Sequence, residues 1–198
     1  MKKVFLGFLT IGLLLSCGNT KYTILYEKEK HIDFSQGKWI LNEALTNNEN
    51  GRIQQIALRE FKEILKDSLF ELKELRSDKL IPPTLPFELT QKELRDLKIG
   101  SACDYLISVK SIIVKDEMGS FANSPSFGTT KKTNQAESTI RIYDLNKLTL
   151  MSESSIIGKI ELTKSEGDAD WDYVNTGSTI SMNGLTKLIR KYDKNKVR

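Results

Sequence analysis

Few side chains in this sequence could do chemistry, and they are scattered. The single histidine, His31, stands beside Lys28, Glu29 and Lys30, with Asp33 two residues on and no serine or cysteine arranged as a nucleophile. A hydrolytic triad needs its base held fixed against the nucleophile, and an isolated histidine in a charged run does not supply that. Carboxylates are the denser signal: Glu166, Asp168, Asp170 and Asp172 alternate along one short stretch, and oxygen ligands gathered in this way suit Ca²⁺. A calcium loop of the EF-hand kind opening at Asp168 would want glycine sixth and glutamate twelfth, where the chain has Tyr173 and Thr179. The stretch therefore reads as a solvated acidic loop, and no metal is assigned to it. The sequence also lacks a glycine-rich phosphate loop, paired cysteines and a His-Glu-x-x-His zinc motif. These absences point to a protein that is not an enzyme and carries no cofactor. The residues best suited to binding are aromatic. Trp171 and Tyr173 lie in the acidic loop, and Phe121 and Phe127 lie in a second polar loop. Rings on polar loops offer large apolar area on short, stiff side chains, which suits an interface anchor, but the more frequent fate of such rings is to pack down on the sheet, and both readings apply to these four.

The start of the chain dictates where the protein works. Met1-Lys2-Lys3 is positively charged, and Val4 to Leu15 is an uncharged run of twelve residues, well short of the ~20 a membrane-spanning helix needs. This is the form of a secretory signal. Leu14-Leu15-Ser16-Cys17 resembles the lipobox of bacterial lipoprotein signals. The resemblance implies that residues 1–16 are removed and that Cys17 becomes the first mature residue and carries the lipid. Acyl chains contribute about 0.8 kcal/mol per buried CH₂, so several together hold a protein to a bilayer. The resemblance implies that Cys17 is a lipidation site with the bilayer as its partner, and that the chain is a lipid-anchored protein of the cell envelope. Gly18 follows Cys17 in place of aspartate, which in lipoproteins of this kind is compatible with the outer membrane, facing the periplasm.

Removing residues 1–16 leaves 182 of the 198, enough for one domain. Of the net charge of +4, Lys2 and Lys3 account for two, and the mature chain interleaves lysine with glutamate. A nucleic-acid footprint would concentrate basic residues on one face, so nucleic acid is not an expected partner. With Cys17 lipidated, Cys103 in Ala102-Cys103-Asp104-Tyr105-Leu106-Ile107 is the one remaining thiol, and it reads as a small core residue at a strand entrance.

Several elements must position the aromatic loops. Residues 17–36 read as a tether, with Ile24-Leu25-Tyr26 available to pair as an edge strand, and the domain begins at Gly37. Lys38 to Leu45 form a strand. Ile53, Ile56, Ala57, Phe61, Ile64, Leu65, Leu69 and Leu72 make one helical stripe. Lys79-Leu80-Ile81 is a short strand before Pro82-Pro83, and Thr90-Gln91-Lys92-Glu93 is a capping box opening a short helix that Gly100 ends. Strands follow from Asp104 to Val114, with a phase slip that suggests a bulge, then over 138–143 and 148–160, the last two as a hairpin turning at Asp144 to Lys147. Residues 116–136 and 165–177 are loops. Met182, Leu185, Leu188, Ile189 and Tyr192 share a face of the last helix, the domain runs to 193, and 194–198 fray.

This order predicts an α/β (α+β) sandwich: a mixed, partly antiparallel sheet with a long helix, a short helix and a C-terminal helix. The Trp39 strand, the run from Leu94 through Ile107, and Ile142-Tyr143-Asp144-Leu145 resemble the small envelope domains of curli-secretion lipoproteins and the amino-terminal domain of TolB-type proteins. Over residues 37–192 the chain is most similar to uncharacterised lipoproteins of the Bacteroidetes type. Curli-secretion proteins cross the membrane with hairpins, which would need alternating stretches of roughly 9–11 residues, and 116–136 is too polar for that. The expectation is therefore a tethered interaction or adaptor module with an envelope protein partner. The alternatives are a subunit of an envelope assembly or secretion complex, or a ligand- or metal-binding protein using the carboxylates of residues 166–172.

Overall fold

The computed structural model describes residues 19–28, 32–48, 51–77, 81–82, 84–123, 128–165 and 171–197. The signal segment, Cys17, His31, Phe127, Glu166, Asp168 and Asp170 lie outside these. The element order is β1 (Lys21–Lys28), β2 (Trp39–Leu41), β3 (Leu45–Thr46), α1 (Arg52–Leu65), β4 (Leu69–Glu71), α2 (Leu72–Leu75), α3 (Gln91–Ser101) and β5 (Tyr105–Asp116). After these come β6 (Phe121–Asn123), β7 (Thr130–Asp144), β8 (Thr149–Lys164), β9 (Trp171–Tyr173) and α4 (Gly177–Asn195). The main sheet runs β1-β8-β7-β5-β2-β4, with β3 also on β5, and β6 and β9 form a separate two-stranded ribbon. β2 pairs in parallel with β4 and β5, whereas β5, β7, β8 and β1 are antiparallel. The expected mixed α/β sandwich is what forms.

Strand periodicity explains the layers. Trp39 and Leu41 point to α1 and α4, where Ile53, Ala57, Phe61, Leu65, Leu185, Leu188 and Ile189 close one core. Ile40, between them, points to the other face, where Leu94 and Leu97 of α3 meet Leu106 and Tyr143. A strand covered on both faces has no polar positions, and all three residues of β2 are fully buried. α4 approaches the sheet closely because its contact residues are small: the Ser181 hydroxyl lies 2.7 Å from that of Ser111, which is 2.6 Å from that of Ser138. The capping box at α3 forms as expected, with the Thr90 amide donating to the Glu93 carboxylate at 2.7 Å and the Glu93 amide to the Thr90 hydroxyl. Cys103 is buried at the entrance to β5. The bulge lies between Ile113 and Lys115.

Several boundaries differ from the sequence expectation. Lys21–Lys28 pair along β8 at the sheet edge, as the edge-strand reading of Ile24-Leu25-Tyr26 allowed, but Ile32 and Phe34 are core residues, so the segment read mainly as a tether is already part of the fold before Gly37. Helix α1 stops at Leu65: Lys66 turns to φ 53°, and Leu69–Glu71 leave the helical stripe to pair with β2. The short strand expected at Lys79-Leu80-Ile81 falls largely outside the described residues. Ala102, at φ 56°, ends α3 one residue beyond Ser101, so Gly100 remains helical. Thr130–Ala136, expected in a loop, extend β7 along β8. Lys194 and Asn195, expected in a frayed tail, are helical, and the Val197 amide donates to the Ile32 carbonyl at 3.2 Å, so the described part of this end is tied to the fold.

Candidate interaction surface

Two of the four aromatic candidates meet. Phe121 in β6 lies opposite Tyr173 in β9. Their rings stand edge to face with centroids 6.0 Å apart and planes at 81°. That geometry sets a positive ring edge against a negative face and is worth about 0.5–1.5 kcal/mol beyond area burial. Both stay open to solvent, Phe121 at 57% and Tyr173 at 67%. Trp171 takes the position opposite Asn123 in the same ribbon.

A three-residue ribbon has little stability of its own, and its inner side is where it is secured. Between Phe121 and Asn123, Ala122 turns inward and packs with Met118, Val174, Ala136, Ile160 and Ile180. Beneath them Asn134 of β7 is fully buried and makes three hydrogen bonds. Its Oδ1 accepts from the Met118 amide at 3.0 Å, and its Nδ2 donates to the Gly119 carbonyl at 3.1 Å and the Asn175 carbonyl at 2.9 Å. One side chain thus joins the turn before β6 to the exit of β9. Gly119 takes φ 54° in that turn, a conformation costly for residues with a Cβ. The Val174 amide donates to the Ser120 carbonyl at 3.2 Å, and the Gly177 amide, opening α4, donates to Asp116 at 3.0 Å. Asp172, whose neighbours in sequence suggested a cation site, pairs with the buried ammonium of Lys164 at 3.0 Å. Among the described residues, no three His, Cys, Asp or Glu side chains cluster to hold a metal.

The chain's entry is tied to the same place. Asn175 Nδ2 donates to the Thr20 hydroxyl at 2.8 Å, one residue before β1 begins. Sequence reasoning found the rings by their type but missed Asn134, Asn175 and Asp116. No motif marks them, because each is an ordinary polar residue whose role depends on where two loops converge.

No family model matches the chain, and no curated protein matches it in sequence. Among solved structures it is similar to the PelC dodecamer from Paraburkholderia phytofirmans, at 10% identity and TM-score 0.41, over 87% of this chain and 97% of that one. Lipoprotein GNA1162 from Neisseria meningitidis is similar at 8% identity and TM-score 0.40, over 81% and 99%. Hypothetical protein CT253 from Chlamydia trachomatis is similar at 12% identity and TM-score 0.38, over 79% and 94%. Likenesses this low carry no residue or role from those proteins to this chain. Among the described residues, no helix is long and apolar enough to cross a membrane.

Proposed function

We propose that this protein is a lipid-anchored, non-enzymatic interaction module of the cell envelope. Cys17 holds it in the outer membrane facing the periplasm, and it makes its contacts through the β6–β9 ribbon. The observation that carries this reading is the pairing of Phe121 with Tyr173, exposed on a base that buried Asn134 fixes. Rings left in water gain free energy when covered, and a rigid base removes much of the ordering cost that a flexible loop would pay on binding.

The test is photo-crosslinking in cells, with benzoylphenylalanine replacing Tyr173 in one strain and Ile99 in another. Ile99 is also exposed, on α3 near the opposite end of β5. Adducts to a protein or lipid at 173, absent at 99 and lost in a Cys17→Ala strain, are the expected result. Equal labelling at both positions, or none at 173, refutes the ribbon as the contact surface.

A further inference from the structure

We infer that the ribbon's partner is the lipid bilayer itself: Phe121 and Tyr173 form a second membrane contact beside the lipid on Cys17. The inference rests on the reading of Cys17 as the lipidated residue and names the partner of the surface proposed above. The argument is one of reach. Thr20 is three steps along the chain from Cys17, and three steps span at most about 11 Å when fully extended. Thr20 is hydrogen-bonded to Asn175, two residues after Tyr173. The chain therefore enters the domain beside the ribbon, and β1 then runs away from that end, from Lys21 opposite Lys159 to Lys28 opposite Glu153. A protein leashed this tightly at its ribbon end cannot turn that end far from the headgroups. The other end of β5 lies about 36 Å away at 3.3 Å per strand residue, so it faces outward.

The exposed chemistry at the tethered end suits that location. Tyrosine and phenylalanine combine an apolar ring with, in tyrosine, a polar tip, and tyrosine in particular is enriched at the membrane–water interface. An isolated ribbon would bind vesicles weakly. Once the acyl chains are inserted, however, the second contact is intramolecular, and the high effective concentration makes a weak affinity sufficient to fix the orientation. The ribbon thus converts a swivelling tether into a seat with one orientation.

The test uses the full lipidated protein reconstituted in phosphatidylethanolamine–phosphatidylglycerol vesicles. Cys103 is buried and Cys17 is acylated, so a cysteine introduced as Tyr173→Cys, Phe121→Cys or Ile99→Cys is the accessible thiol for an environment-sensitive nitrobenzoxadiazole dye. Vesicle flotation reports anchoring independently. The expected result is a blue-shifted emission, quenched by lipids brominated high in the acyl chain, at 173 and 121, with a water-like, unquenched emission at 99. Protein that floats while all three dyes remain water-like overturns the bilayer contact and leaves the anchor standing. Protein that does not float overturns the anchor and this inference together. Photo-adducts from residue 173 that contain protein and no lipid overturn this inference alone.

Discussion

Asn134→Ala tests whether the ribbon is held from beneath. The substitution removes hydrogen bonds to the Met118 amide and to the Gly119 and Asn175 carbonyls, at 2.9 to 3.1 Å. At a net 0.5–1.5 kcal/mol each, the loss comes to about 1.5–4.5 kcal/mol. Asn134→Asp sharpens the test because it keeps the volume and the acceptor for Met118 but sets a carboxylate oxygen against two carbonyl oxygens. Burial and those carbonyls raise that carboxyl's pKa in the folded state above its unfolded value near ~3.9. Its penalty is therefore full at neutral pH and is relieved as pH falls through the raised folded value, where the protonated group can donate again. Urea denaturation at neutral and mildly acidic pH gives the magnitudes. Amide exchange at Met118 and Val174 gives the location, and both should accelerate more than amides in β2. An Asn134→Asp protein as stable as wild type at neutral pH, or an Asn134→Ala loss below about 0.5 kcal/mol, would refute the reasoning.

Other substitutions probe the frame around the ribbon. A Cβ added at Gly158 would clash with the Ile180 side chain and come within 2.6 Å of the Tyr22 ring. Gly158→Ala should therefore cost about 1–3 kcal/mol, lowering Tm by about 2–4 °C for each kcal/mol, and a neutral melt would contradict the packing. Glu60 is buried between Arg59 and Arg190 of α1 and α4, at 2.7 and 3.1 Å. Burial pushes its pKa up, but the hydrogen bonds from the two guanidiniums outweigh it, and the net shift is downward. Its contribution is present above its unfolded pKa near ~4.3 and is lost as pH falls through the lower folded value. Because both guanidiniums are well exposed, Glu60→Gln should lose only about 1–2 kcal/mol at neutral pH. The difference from wild type should close in acid melts. Thr90→Ala removes the hydroxyl of the α3 capping box and should cost about 1 kcal/mol in urea titrations.

The sequence disclosed elements whose pattern is local and withheld those decided by distant partners. Ile53, Ala57 and Phe61 recur at four-residue steps, so α1 was legible, as was the Thr90–Glu93 cap. The end of α1 was not legible: Leu69 and Leu72 continue the stripe, but β2 offers Leu69–Glu71 a parallel strand to pair with. The early part of β7, Thr130-Lys131-Lys132-Thr133-Asn134-Gln135, looks like a loop because its buried positions are polar. Glu117 accepts from the Thr133 amide at 2.8 Å, and the Asn134 contacts satisfy the rest. Phe121 and Tyr173, 52 positions apart, stood out by residue type, yet nothing in their two three-residue segments announces that they pair.

The edge position of β1 also has a mechanical consequence. A load applied through the lipid proposed on Cys17 would enter at Lys21 and run along the strand axis, while the ladder from Lys21–Lys159 to Lys28–Glu153 lies across it. Drag on the anchor therefore loads those bonds together in shear, where a strand pulled sideways from its end would unzip them one after another. Under the proposed anchoring, extraction from the bilayer would compete with a cooperative rupture of the sheet edge.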